Sequence, residues 1–261
     1  MKILLYQFHL KNMSVWNDNT DYGDYWLLSS KSCEAYAKKW GYDYIFDYHE
    51  NSDTWNPWFL SEPNWEHFRA IEYLENYDAV LFVDTDILIK SESPDIVNEY
   101  KNKGYPLVIN TKIGNQLNGN DLGLSSTINL NTGVVLWYNK SKYIKDLYNM
   151  DVSEYYHDDN KTIFMLGNFL ESRKNKKWWQ DWEDFKPLIG KISSGYHNQE
   201  RFLSLITEMY IIPKVHLHEK YNYRFTLYKK PDILSEDIYF IHYVAQSKNL
   251  MEKHYNLIME Q

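Results

Sequence analysis

Two aspartates interrupt an apolar run. In "LFVDTDILI", Leu81 to Ile89, Asp84 and Asp86 flank Thr85 inside a stretch that otherwise reads as a buried strand. Alternation along an extended chain sets residues i and i+2 on one side. Both carboxylates can therefore face one point, and two like charges that close need a cation or a shared proton. Oxygen ligands suit Mg²⁺ or Mn²⁺, ions that commonly also hold substrate phosphates. The competing reading is a solvated turn in which each aspartate accepts backbone hydrogen bonds. A second candidate lies in "IHYVAQSKN", where His242 follows an apolar strand pattern and Lys248 stands six positions later. A neutral imidazole can complete a carboxylate metal site, and a lysine ammonium can neutralise a phosphate oxygen. In isolation this is as readily a strand-end histidine beside a surface lysine.

Other residues carry weaker signals. Arg69 precedes the acid pair on a helical stretch; it either reaches a bound phosphate or sugar or pairs with Glu66 or Glu72. "WWQDWEDF", Trp178 to Phe185, mixes rings with acids. It reads either as an acceptor lid, with Asp181 or Asp184 binding hydroxyls or acting as base, or as an amphipathic helix with its tryptophans in the core. "RKNKK", Arg173 to Lys177, is a basic run that usually marks a solvated face. The single cysteine, Cys33, excludes an internal disulfide and falls in a helical pattern, as a buried inert thiol would.

The elements that must position these residues follow from periodicity. Ile3 to Phe8 reads as a buried first strand. Tyr25 to Trp40 has helical spacing, with Gly41 placed as a C-cap, and Tyr42 to Tyr48 is the next strand. This β-helix-β order predicts a parallel sheet. A second helix spans Trp65 to Asn76, and a third strand ends at the acid pair. "SPDIVNEYKNKG" predicts a short helix capped by Ser93 with Pro94 at its first position. Strands follow in "YPLVIN" and "NTGVVLWYN", separated by a Gly- and Asn-rich loop, Asn115 to Ser126. Helical stretches are expected at Lys142 to Asn149, within Asp151 to Gly195 and from Phe202 onward. Lys214 to Phe225 reads as extended, "DIYFIHYV" as a last strand, and Lys248 to Gln261 as an amphipathic tail.

Composition narrows the class. The 261 residues, 44% hydrophobic and 25% charged, suit a globular chain with a sizeable core. A formal net charge of −8 disfavours nucleic acid as the main partner. Aromatics reach 17%; most rings belong in a core, though some can line a sugar or base pocket. The first apolar run is too short for a signal segment, and no window approaches a membrane span, which predicts a soluble, cytoplasmic protein.

Together the two acid and histidine motifs resemble those of the metal-dependent GT-A glycosyltransferases. The likeness is to the glycogenin and bacterial lipopolysaccharide galactosyltransferase group, with fungal and large-virus relatives. "YDAVLFVDTDILI" resembles that group's strand with its Asp-x-Asp, "NLNTGVVLWYN" its Asn-x-Gly strand, "GYHNQERFLSLI" its Asp-Gln helix start, and "HYVAQSKN" its His-x-x-Gly-x-x-Lys-Pro motif. "KSCEAYAKKWGYDYIF" is similar to a segment of the fungal and viral relatives. The matches run in family order from about residue 31 to 248. Three positions depart: Ala245 replaces a glycine, Asn249 a proline, and Asn198 an aspartate. The last puts the role of that helix start in question.

The resemblance implies a single α/β domain of GT-A type over 1–261, with a mixed, mainly parallel central sheet flanked by helices. Residues 1–110 would form the nucleotide-binding half, 111–248 the acceptor half with the closing metal motif, and 249–261 a tail. It implies Mn²⁺ or Mg²⁺ on Asp84, Asp86 and His242. Substrate contacts would come from Lys248, Asn131, Arg69, Asn198 and Thr85, and catalytic groups from Gln199, Asp181 and Asp184. Glu200 is a further candidate base if the reaction inverts. The implied reaction moves a sugar from a nucleotide-diphosphate sugar, a UDP-sugar by preference, to a hydroxyl of a glycan or glycoconjugate, with retention favoured. Three rivals stand: a haloacid-dehalogenase-type Mg²⁺ phosphatase, a non-catalytic sugar-nucleotide-binding protein, and a transferase acting on a modified nucleobase. The phosphatase motif normally ends the first strand, whereas two strands are expected before this one.

Overall fold

The structure, a computed structural model, describes residues 1–12, 24–54, 66–67, 69–103, 107–113, 128–138, 214–226 and 232–259. The expected loop at Asn115 to Ser126, the helices between 142 and 213, and the segments holding Asp181, Asp184, Asn198, Gln199 and Glu200 lie outside these residues.

The β-helix-β reading is what forms. Strand β1 (Ile3–Asn12) leads to helix α1 (Tyr25–Trp40) and back to β2 (Asp43–Asn51), which pairs parallel to β1. Gly41 ends α1 with φ of 70°, a left-handed conformation that costs glycine little. α1 turns Cys33, Tyr36 and Ala37 onto the sheet, where burial pushes the Cys33 thiol well up and leaves it inert. The next expected helix is shorter: α2 spans Ala70–Tyr73, preceded by 3₁₀ geometry at Glu66, His67 and Arg69.

Strand β3 (Ala79–Val83) is buried at every position and pairs parallel with β1 on one side. On its other side it pairs antiparallel with β6 (Ile128–Tyr138). Beyond β6 lie β5 (Leu107–Ile113), antiparallel, and β7 (Lys214–His216), parallel to β5. The six-stranded order is β2-β1-β3-β6-β5-β7, with three of five pairings parallel. This is the mixed, mainly parallel α/β sheet that the sequence implies.

Two departures matter. After Asp86 the chain does not leave the core but forms β4 (Ile87–Ile89), which pairs antiparallel with β9 (Phe240–Tyr243) in a second sheet. β9 in turn pairs parallel with β8 (Tyr223–Phe225). Three residues are too few to show a period, so β4 is invisible in the sequence. Its alternation nevertheless serves two cores: Ile87 and Ile89 join the main cluster, and Leu88 joins a smaller one with Ile241, Tyr243, Met251 and Ile258. The last two belong to α4 (Met251–Met259), the amphipathic tail, which packs rather than trails.

The second departure is a cap. Helix α3 (Ile96–Tyr100) starts at Asp95, whose carboxylate accepts from the Asn98 amide at 2.8 Å. Ser93, expected to cap, is fully buried and donates to the Tyr239 carbonyl instead. Tertiary burial outranks the local Ser-Pro signal.

Candidate functional site

The acid pair sits on the seam between the two sheets: β3 ends before Asp84 and β4 begins after Asp86. The backbone there is pinned from three directions. The Asp84 amide donates to Gly133 O at 2.8 Å, and Gln7 Nε2 and Ser29 Oγ both donate to the Asp84 carbonyl. The Tyr243 amide donates to the Asp86 carbonyl at 2.8 Å. Thr85 Oγ1 lies 3.0 Å from His9 Nδ1, on a buried contact. The turn is therefore bonded through its backbone amides and carbonyls.

β9 delivers the histidine. Phe240 faces the main core, and His242, two residues on, faces the same way where the core ends. Ligand atoms of Asp84, Asp86 and His242 all lie within 4.8 Å of one another. His242 Nε2 stands 3.3 Å from Asp86 Oδ1, and Lys248 Nζ stands 3.0 Å from Asp86 Oδ2. The 3₁₀ turn at Ala245–Leu250 returns Lys248 to this point, over the Tyr25 ring at 4.8 Å. The two motifs, more than 150 residues apart in the chain, thus meet.

Electrostatics follow from the geometry. Burial alone would raise the Asp86 pKa, but the Lys248 ammonium first, and His242 when protonated, reverse this and hold the carboxyl well below its usual range. Burial works against the Lys248 charge, yet Asp86 keeps its pKa above the ordinary lysine value. His9 is lowered to about 4, by burial first and by Lys248 second, so it stays neutral.

The donor set fits a hard divalent cation: two carboxylates and one imidazole. Asp86 Oδ1 adds an independent sign, because it is buried and, among the described residues, has no hydrogen-bond partner although His242 Nε2 is near. A buried anionic oxygen left this way is costly unless something positive completes it.

Sequence reasoning missed three supports. Gly133 is one: a Cβ there would lie 2.7 Å from the His242 ring, so only glycine admits the imidazole. Here β6 carries an irregularity, with Ile109 opposite Val135 but Asn110 opposite Asn131. Asn222 is the second: its Oδ1 lies 2.9 Å from His242 Nδ1. Neither it nor Arg224 lies in a pattern that could be read from the chain. Arg224 stands beside His242 in the register of β8 and β9, and its Nε is buried with no hydrogen-bond partner.

Other expected residues fall elsewhere. Asn131 is close, in contact with Asn222. Arg69 donates to Glu66 at 2.6 Å and carries a raised pKa despite burial, with Glu66 the main favourable cause. Its geometry displays the pairing with Glu66.

No family model matches the chain, and no curated protein matches it. Among solved structures it is similar to a glycosyltransferase involved in the glycosylation of the major capsid of PBCV-1. That match has 14% identity, covers 99% of this chain and 100% of that one, and has a TM-score of 0.49. It is similar to galactosyltransferase LgtC in complex with donor and acceptor sugar analogues, at 14% identity, covering 98% and 96%, with a TM-score of 0.47. It is also similar to mouse xyloside xylosyltransferase 1 in its apo form, at 11% identity, covering 95% and 99%, with a TM-score of 0.48. Among the described residues, no helix is long and apolar enough to cross a membrane.

Proposed function

We propose that the chain is a divalent-metal-dependent glycosyltransferase. It moves a sugar from a nucleoside-diphosphate sugar, a UDP-sugar by preference, to a hydroxyl of a glycan or glycoconjugate, with retention at the anomeric carbon. The observation that carries this reading is the convergence of Asp84, Asp86, His242 and Lys248 on the seam.

Asp84, Asp86 and His242 would hold Mn²⁺ or Mg²⁺. When bound, such an ion supplies charge neutralisation to the leaving diphosphate. The chain's own residues do the rest. Lys248, held by Asp86, carries an ammonium that stays charged throughout the neutral range and can donate to a phosphate oxygen. Thr85 and the neutral His9 keep the turn between the carboxylates fixed. Asn131 and Gln199 would lie near the donor sugar, with Asn198 beside them. Asp181 and Asp184 would meet the acceptor. The single GT-A domain over 1–261, with its nucleotide-binding and acceptor halves, belongs to the same proposal.

The phosphatase alternative loses support because β1 and β2 precede the acid pair in the chain. The test is thermal stability titrated with Mn²⁺ and UDP, followed by hydrolysis of a panel of nucleotide sugars. A Mn²⁺-dependent rise in melting temperature with UDP, and slow hydrolysis of one donor, are expected. Absence of a shift with any nucleoside diphosphate, alongside hydrolysis of a generic phosphomonoester, overturns it. Binding without turnover of any donor assigns the chain to non-catalytic sugar-nucleotide binders.

A further inference from the structure

A histidine can ligate a metal through a ring nitrogen only if that nitrogen carries no proton. Which nitrogen is bare in His242 follows from a chain of contacts that begins at a backbone group. The Gly133 amide lies 3.2 Å from the Asn131 side-chain atom assigned as Oδ1. A backbone N–H can only donate, so that atom must be the oxygen and not the amide nitrogen. The same Asn131 Oδ1 receives the Asn222 side chain, which must therefore present Nδ2 to it. The Asn222 orientation is then fixed, and its Oδ1 faces His242 Nδ1 at 2.9 Å. A carbonyl oxygen only accepts, so His242 Nδ1 must donate. Every member is buried: Asn131 is 5% exposed, Asn222 3% and His242 7%, so no solvent competes for these bonds.

From this we propose that Asn222 and Asn131 are positioning residues that lock neutral His242 in its Nδ1–H form. Nε2 is then a bare lone pair aimed at Asp86 Oδ1, 3.3 Å away. In that form two acceptors face each other across the gap, and among the described residues Asp86 Oδ1 has no hydrogen-bond partner. Had the proton sat on Nε2, a simple hydrogen bond would have closed the gap and spent both ligands on each other. The relay prevents this and keeps both for a cation. Gly133 enters twice, as the donor that starts the relay and as the absent side chain that admits the ring. This deepens the metal-dependent reading above and rests on it only for what the lone pairs are for; the tautomer itself is independent of any metal.

The experiment is long-range ¹H–¹⁵N NMR of metal-free protein at about pH 8, above the ordinary histidine range, with Mn²⁺ affinity measured in parallel by calorimetry. Wild-type His242 is expected to show a protonated Nδ1 and a bare Nε2. Asn222→Leu should move the proton to Nε2 and weaken Mn²⁺ about 10- to 100-fold, as loss of a partner behind a ligating histidine does. Asn131→Asp keeps an acceptor oxygen for both donors and should retain the wild-type tautomer. A protonated Nε2 in the wild type overturns the proposal and needs no variant to fold. So does Asn222→Leu with unchanged tautomer and unchanged Mn²⁺ affinity. An Nδ1–H tautomer in a protein that binds no Mn²⁺ with or without UDP leaves the relay standing and sinks the transferase reading instead.

Discussion

Strand β4 is only three residues long, yet an ion pair stands at each of its ends. At the far end, Lys90 has no exposed side-chain surface; it donates to the Ser235 carbonyl at 3.0 Å and pairs with Glu92 at 2.7 Å. Glu92 is 42% exposed, so the cation is sunk and its partner acid is solvated. At the near end the arrangement differs. Asp86 and Lys248 are both largely covered, 16% and 19% exposed, and among the described residues Asp86 Oδ1 has no donor. The same strand thus carries one closed polar account, which the fold uses, and one left open, which a ligand can use.

Breaking the open end should have the largest effect. Asp86→Ala removes a ligand and the Lys248 partner together. Calorimetry should show Mn²⁺-dependent UDP binding weakened by more than about a hundredfold, beyond what loss of an outer partner costs. Unchanged binding would erase the distinction between the two ends.

Acid titration sharpens the comparison next. Asp86 is depressed and Lys248 raised, so their contribution is lost only below the ordinary carboxylate range and above the ordinary lysine range. Between those limits the Asp86–Lys248 pair does not titrate. His9 does: unfolded it binds a proton near 6.5, folded only near 4. Stability should therefore hold above pH 6.5 and fall as pH drops through that window, by about 3 kcal/mol at full protonation. His9→Gln should flatten the acid limb in denaturant melts.

Gly133→Ala tests crowding at the open end. Its Cβ would meet the His242 ring at 2.7 Å, and Mn²⁺ affinity should drop about 10- to 100-fold. Lys90→Met tests the closed end and should be the mildest for function. It removes the charged donor to the Ser235 carbonyl, which keeps the Ile238 amide, and should cost about 1.5–3 kcal/mol in urea unfolding, with Mn²⁺–UDP binding unchanged.

The same contrast shows what could be read from the chain. Asp84, Asp86, His242 and Lys248 were legible because each motif has a residue spacing with chemical meaning, and α1 was legible because sixteen residues display a period and Gly41 a stop. β4 was not, since three residues display no period. Ser93 misled as a cap because its local signal is sound and only burial against Tyr239 overrides it. Asn222 left no trace at all: a lone asparagine in "EKYNYRF" acquires meaning only when β8 and β9 pair and set it against His242, twenty positions on. Arg69 was legible as two alternatives, and the contact with Glu66 displays one of them.

The seam at Thr85 has a mechanical consequence. Asp84 is attached to the large sheet, and Asp86 and His242 to the small one. A cation held by all three would rivet one sheet to the other, so part of its binding energy would appear as resistance to their separation. By mass action, the opening free energy of the small sheet would then rise with free Mn²⁺. Amides of β8, β9 and α4 would slow their hydrogen exchange together on adding the ion, while those of β1 and β2 would not.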